Sequence, residues 1–445
     1  PNGSSVPNYG GWHDAGDVSQ FEIPTAEMAH AIIDLALAVK DKDELLYERL
    51  IEEARVGINW LLRTRFGDGM RALAITYSIW RKNVLTPDNK TVYSNVAENG
   101  PFENFCASAA LAKAYLVYNN EDKVFADWCL RSAKEDFEFA KDGYKQGIYT
   151  KRWGPNVDSQ VCGHGIIAAI ELYKCTLDSY YIDVAATYAK IVLACQQSDT
   201  PDWDIPLRGF FYEDPNHKWM LTYEHRGHEQ SPVQGLAMLC EVASNHPDYE
   251  AWINGLKLYR EYVLDSMKLT KPYGLVPGHV YVLDKLNSDR FTIPASYGTI
   301  PEGMEILRNQ ARSGKKLADN VYLRIFPVAV QRRGYHATLL SKTKAISMIA
   351  KVLNDEELKQ IAIDQLEWVM GKNPFASSTM YGCGYNYHPL YVAFSRQMVG
   401  ALPVGIMTNG DNDAPYWPVR DHAVFKEIWG HTTGKYLWVL ADLIK

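Results

Sequence analysis

Two acidic side chains stand three residues apart in Gly10-Gly11-Trp12-His13-Asp14-Ala15-Gly16-Asp17. The glycines at 10, 11 and 16 let the backbone turn where a side chain would not fit, and Trp12 and His13 precede the acids. The segment reads as an ordered loop that aims two carboxylates, Asp14 and Asp17, at one place. Hydrolysis of a glycosidic bond needs one group to activate water and another to protonate the leaving oxygen. A paired-carboxylate loop supplies the first. The same residues also fit a plainer role, in which Asp17 or Ser19 caps a turn ahead of a helix beginning near Pro24.

A second acidic stretch lies near the other end. Asn409-Gly410-Asp411-Asn412-Asp413-Ala414-Pro415-Tyr416-Trp417-Pro418 is a loop by composition, and it leads to Glu427 among Phe425, Ile428 and Trp429. An apolar setting raises a carboxyl's pKa and keeps its proton available near neutral pH, as a general acid requires. An amphipathic helix start with Glu427 facing solvent beside Lys426 fits the same letters. Other motifs carry less. His225-Arg226-Gly227-His228-Glu229 looks metal-like but lacks the HExxH spacing, so a cleft-lining or capping role suits it better. His164 and His336 fall at core or rim positions of helical patterns. Gly382-Cys383-Gly384 follows no strand and is too short for a nucleotide loop, and no GxSxG elbow exists.

The elements that must position these groups are helical. Apolar residues recur with the 3.6-residue period in pairs: Pro24–Lys40 with Asp43–Arg65, Glu103–Tyr118 with Asp122–Lys141, Asp158–Cys175 with Ser179–Gln197, Glu229–Ser244 with Tyr249–Met267, and Gly334–Leu353 with Asp355–Met370. A single helix is expected over Asp421–Ile444, and another near Glu302–Ser313. A hairpin cannot bury its apolar stripe alone, so the pairs must pack about a common axis. The expected fold is all-α, an (α/α)6 barrel of six helical hairpins. Long aromatic connections alternate with short ones such as Val39–Glu44. That alternation gathers the long loops into a cleft at one end. No Ser/Thr/Pro-rich linker interrupts the 445 residues, so a single catalytic domain over 1–445 is expected.

Composition narrows the function. The net charge of -7 offers no basic excess to neutralise phosphates, which argues against nucleic acid as a partner. No run of about 18 apolar residues suggests a membrane span. Aromatic residues make up 12% of the chain, which suits stacking on sugars and equally suits a large helical core. The seven cysteines show no metal-like spacing and read as buried thiols.

Three segments carry a family resemblance. Gly11-Trp12-His13-Asp14-Ala15-Gly16-Asp17, followed by Phe21 and Pro24, resembles the N-terminal catalytic signature of glycoside hydrolase family 9. Asn373-Pro374, Ser378, Tyr381-Gly382, Gly384 and Asn386 resemble its second signature. Arg420-Asp421 and Glu427 resemble its C-terminal one. The resemblance implies inverting hydrolysis of β-1,4-glycosidic bonds in a glucan or related oligosaccharide. Asp17 would be the base, Asp14 would hold the water, and Glu427 would be the acid. Trp12, His13, Tyr385, His388, Arg396, Tyr416 and Trp417 would contact sugar. No cofactor is needed for the chemistry, and a structural Ca2+ is expected only through Asp411 and Asp413. A secreted, periplasmic or cell-surface location and room for an upstream segment, such as an Ig-like domain, are further implications.

The departures matter as well. The compact basic run of many family cellulases is reduced to His388 and Arg396, Lys426 stands where Asn is usual, and Gly430-His431-Thr432 replaces Asp-Tyr-Asn. Acid and base survive while the sugar-recognition shell changes. This favours a soluble β-glucan, an oligosaccharide or a modified glycan over crystalline cellulose. An exo-acting enzyme such as an exo-β-glucosaminidase, a catalytically silent glycan-binding protein and a polysaccharide lyase are the alternatives. The surviving acid and base and the negative charge weigh against the lyase.

Overall fold

Two kinds of helix alternate along the chain, and they form two layers. The computed structural model describes residues 6–7, 9–16, 19–76, 93–96, 99–148, 156–222, 227–288, 303–328, 334–392, 396–420 and 423–444. One kind is apolar on nearly every face. In α1 (Glu22–Val39) every residue except Asp34 and Leu37 is buried. Such a helix belongs inside. With α3 (Pro101–Tyr118), α5 (Asp158–Thr176), α7 (Ser231–Val242), α10 (His336–Leu353) and α13 (Gly430–Leu443) it makes a closed ring, each packing on the next and α13 returning to α1.

The other kind is amphipathic. Helices α2 (Glu44–Arg63), α4 (Lys123–Gln146), α6 (Ser179–Ala194), α8 (Tyr249–Met267) and α11 (Glu356–Val369) each lie outside the inner helix that precedes them. Four of them start the same way: Asp43, Asp122, Asp178 and Asp355 accept hydrogen bonds from Leu46, Phe125, Tyr180 and Leu358 amides. An aspartate cap satisfies a donor that the first turn leaves over. These caps make the short connections. Long connections then lead from each outer helix back to the next inner one, so all six inner helices run parallel with their N-termini at one end. The (α/α)6 barrel and its one-ended long loops are as the helical pairing predicts. Among the described residues, α13 is the inner helix without an outer partner of its own.

Two details, the start of the first helix and the continuity of the last, differ from expectation. Helix α1 begins at Glu22, because Pro24 sits in its first turn where its missing N–H costs nothing. The long loops hold short antiparallel strands: β1 (Gln20–Phe21), β4 (Ala74–Thr76) and β5 (Tyr93–Val96) in one sheet, β2 (Arg65–Gly67) with β3 (Met70–Arg71), and β6 (His279–Val282), β8 (Val321–Arg324) and β7 (Lys315–Ala318) in another. Helix α9 (Gly303–Arg312) falls where one is expected. The terminal helix is split. A short α12 (Ala423–Lys426) precedes three extended residues, and α13 starts only at Gly430.

The barrel axis is unusually polar. Buried Glu27 receives hydrogen bonds from Gln230 (3.1 Å) and Lys435 (2.9 Å) and faces His228 (3.0 Å) and His164 (3.5 Å). Further along, Lys113 bridges Asp34 (2.7 Å) and Glu171 (3.2 Å), and Trp438 Nε1 donates to Asp34 at 2.7 Å. Burial pushes the Glu27 carboxyl up, but Lys435 and His228 outweigh it and hold Glu27 well below the usual range. Burying charge is tolerable only with such pairing. All seven cysteines are free thiols, with Cys175 and Cys383 half-buried and the others buried.

Three interior histidines link stability to pH. Burial pushes His164 and His279 down to about 4 and His336 to about 3. The unfolded chain takes up those protons near pH 6.5, so stability is full above that value and falls as pH drops toward 4. The loss is on the order of 1 kcal/mol per pH unit for each histidine. Urea unfolding should show a clearly lower midpoint at pH 5 than at pH 7. Equal midpoints would contradict this linkage.

Candidate active site

The first loop and the split terminal helix meet at the end of the barrel where the inner helices begin. The Asp14 amide donates to the Ser19 carbonyl at 2.8 Å, closing the loop into a turn. The Asp14 carbonyl accepts from the Gly430 amide at 2.8 Å, and Ala15 pairs antiparallel with Trp429. Asp14 is 4% exposed and Glu427 6%. Gly16 explains how the backbones come so close: a Cβ there would lie 3.0 Å from the Tyr391 carbonyl oxygen and 3.5 Å from Glu427 Cγ. Asp17 lies outside the described residues.

Glu427 sits on extended chain because its neighbours claim its backbone. It pairs in parallel with Tyr391, its carbonyl accepts from the Val404 amide at 2.8 Å, and Ile428 pairs with Pro403. A continuous helix would forfeit these bonds. Trp429 Nε1 donates to Glu427 Oε2 at 3.3 Å. Glu427 is thus buried beside Trp429, on a strand-like segment rather than a helix.

Beside it stands a wall built on Lys426. This side chain is fully buried; its ammonium donates to the Val419 carbonyl (2.9 Å) and to His388 Nδ1 (3.0 Å), and lies 4.9 Å from the Trp417 ring centre. The His388 and Trp417 rings stack at 6.0 Å. Burial, then the Lys426 charge, lowers the His388 pKa against a hydrogen bond from the ring to the Pro418 carbonyl, which raises it. An ammonium only donates, so His388 accepts at Nδ1. The loop carrying Trp417 is anchored by Asp413, which accepts from the Ile325 (2.8 Å) and Phe326 (3.0 Å) amides and lies 3.4 Å from Arg324. Asp413 thus serves as a latch to the chain after β8, while Asp411 is exposed. Among the described residues no cluster of three or more acidic, histidine or cysteine side chains is placed to hold a metal.

The remaining sequence candidates scatter. Trp12 donates to Glu53 at 2.6 Å and lies over Gly57, where a Cβ would come within 2.2 Å of its ring. With His13, Met28, Val399 and Leu437 it lines a groove of about 440 Å³ on the flank between α1 and α13. The same groove is lined by Ala15, Trp429 and Gly430, so Trp12 and His13 adjoin the seam between the first loop and α13. Tyr385 stands clear of the surface, Arg396 is exposed, and Tyr416 packs edge-on against Phe425 at 5.4 Å. In the metal-like motif, His225 and Arg226 lie outside the described residues; His228 turns to Glu27 and Glu229 to His279 (3.2 Å), so both serve the interior instead of the cleft. Sequence reasoning missed Trp429 as a polar partner, and met Lys426 only as a departure.

Comparison with known proteins agrees with this architecture. The model of glycosyl hydrolase family 9 matches residues 2–414, stopping short of Glu427. Endoglucanase 3 of Oryza sativa subsp. japonica is 26% identical over 311 residues, 61% of this chain and 58% of that protein. Endoglucanase 19 of Arabidopsis thaliana is 23% identical over 405 residues, 86% of this chain and 55% of that protein. The chain spans less than two thirds of the length of either relative. The cellulase Cel9M of C. cellulolyticum superposes with a TM-score of 0.66 at 17% identity, over 99% of this chain and 88% of that one. The endoglucanase of the termite Nasutitermes takasagoensis gives 0.60 at 16%, over 98% and 88%. At such identity these superpositions speak for the fold alone.

The Lys426 wall has a direct test. In Lys426→Met the His388 pKa should rise toward its ordinary value, because a neighbouring positive charge is gone. Histidine NMR titration reads this. An unchanged His388 would mean that the ammonium does not act on the ring.

Proposed function

The chain belongs to glycosyl hydrolase family 9, and from that premise we propose that it cleaves β-1,4 bonds of a soluble glucan or related oligosaccharide with inversion at the anomeric carbon. The observation that carries this reading is the junction of the two ends of the chain. The Asp14 and Glu427 segments, far apart in sequence, are joined through Gly430 and packed through Gly16. Asp17 takes a proton from water as that water attacks the anomeric carbon. Asp14 orients the water. Glu427 delivers its proton to the departing glycosidic oxygen, so no charged alkoxide has to leave. Inversion requires space for the water, about 6.5–9.5 Å between acid and base carboxyls. The chemistry needs no cofactor.

The preference for a soluble substrate rests on the changed surroundings of the acid. Lys426 is buried and spent on His388 and Val419, so it offers no group to a sugar. A polymeric glucan is met outside the cytoplasm, which makes the protein secreted, periplasmic or surface-bound on this reading. Among the described residues no helix is long and apolar enough to cross a membrane.

Reducing-end release from a panel of soluble β-glucans and oligosaccharides tests the proposal. Asp17→Ala and Glu427→Gln should each lower kcat by about 10²–10⁴-fold. Proton NMR of fresh product should show the α-anomer first. A wild-type protein that cleaves no glycan, or two fully active variants, would overturn the assignment.

A further inference from the structure

We propose that Trp429 is a positioning residue that selects which oxygen of Glu427 carries the catalytic proton. The inference rests on the acid role of Glu427 given above. Residues two apart on extended chain point to the same side, whereas on a helix they diverge by about 200°. Because 427–429 is extended, Trp429 lies on the same face as Glu427, and its indole reaches Oε2 at 3.3 Å. The break between α12 and α13 is what creates this contact.

The indole is held from several directions. The Trp429 amide donates to the Leu402 carbonyl at 3.0 Å, its carbonyl accepts from Thr432 Oγ1 at 2.8 Å, and Ala15 pairs alongside. Its buried ring packs with Ala15, Ala337 and Val404. An indole N–H only donates. It therefore needs an acceptor at Oε2 whether the carboxyl is protonated or not. A protonated oxygen is the poorer acceptor, so this bond biases the proton to Oε1 and restrains the carboxyl from rotating to present the other oxygen. The same bond favours the charged form, so it lowers the pKa of the acid. Among the described residues, the other ionisable groups on the elements packed around Glu427 are Asp14 on the first loop, Tyr391 on the paired strand, Lys426 and His388 on the adjoining wall, and His431 and Lys435 on α13, while Asp17 of the first loop lies outside the described residues. Of these, His431 packs its ring against Trp429 at 6.0 Å, and Trp429→Phe keeps a ring at that contact.

Trp429→Phe keeps an aromatic ring and removes the donor. Its kcat should fall about ten- to a hundred-fold with KM little changed. The basic limb of the kcat profile should move up by about half to one pH unit. A slower enzyme with an unmoved basic limb would show packing alone and overturn the proposal. A second readout needs no turnover. In ¹⁵N-labelled wild type the Trp429 indole resonance, assigned by its loss in Trp429→Phe, should titrate with Glu427 and be flat in Glu427→Gln. A resonance that ignores pH in wild type also overturns the proposal. Absence of glycan cleavage with an intact indole titration would instead sink the functional reading and leave the contact standing.

Discussion

The structure depends on one closure, the seating of α13 on α1. Gly430 and Gly434 make it possible, since a Cβ at either would come within 2.7 Å of Met28. Lys435 crosses the same seam to Glu27, and Trp438 to Asp34. Only when this seam is shut does the ring have six members. The seam also continues beyond the helices, as Gly430 holds the Asp14 carbonyl and Trp429 pairs with Ala15. The contact that completes the fold therefore also brings the Asp14 and Glu427 segments together, and neither can be displaced alone.

The polar axis is the cost of this arrangement. Six inner helices leave a central space that alanines and leucines do not fill alone, and charged layers occupy it. Glu27 with Lys435, and Asp34 and Glu171 with Lys113, are pairs whose members come from different helices. Removing one partner strands a buried charge, a loss of roughly 3–5 kcal/mol. Such layers demand one register between helices, which an apolar core would leave looser.

Much of this was legible in the sequence, and the limits have physical causes. The 3.6-residue period located the hairpins, and the alternation of long and short connections located the cleft end. The paired glycines around Asp14 marked a close approach, and the structure shows Gly16 against Tyr391 and Glu427. The break at 427–429 was hidden because its stabilising partners, residues 15, 391 and 403, are remote in the chain. Helical periodicity cannot register a strand held by distant backbone. Glu27 and Asp34 give no signal in the sequence for the same reason: their counter-ions come from α13 and α3. Trp12 is a sugar contact only by the family resemblance, and the structure packs it over Gly57 on α2, in a groove that Trp429 and Gly430 also line.

The parallel course of the inner helices has an electrostatic consequence. Each helix N-terminus carries about half a positive elementary charge from its aligned peptide dipoles. The six inner helices point that end toward the loops bearing Asp14 and Glu427. The outer helices run antiparallel and bring their C-termini, each about half a negative charge, to the same end but farther from the axis, so the positive ends gather at the centre of the mouth and are balanced around its rim. A carboxylate base gains from this field, whereas a carboxyl acid must keep its proton against it. The fold itself therefore sets a ceiling on how alkaline a medium such an acid can work in.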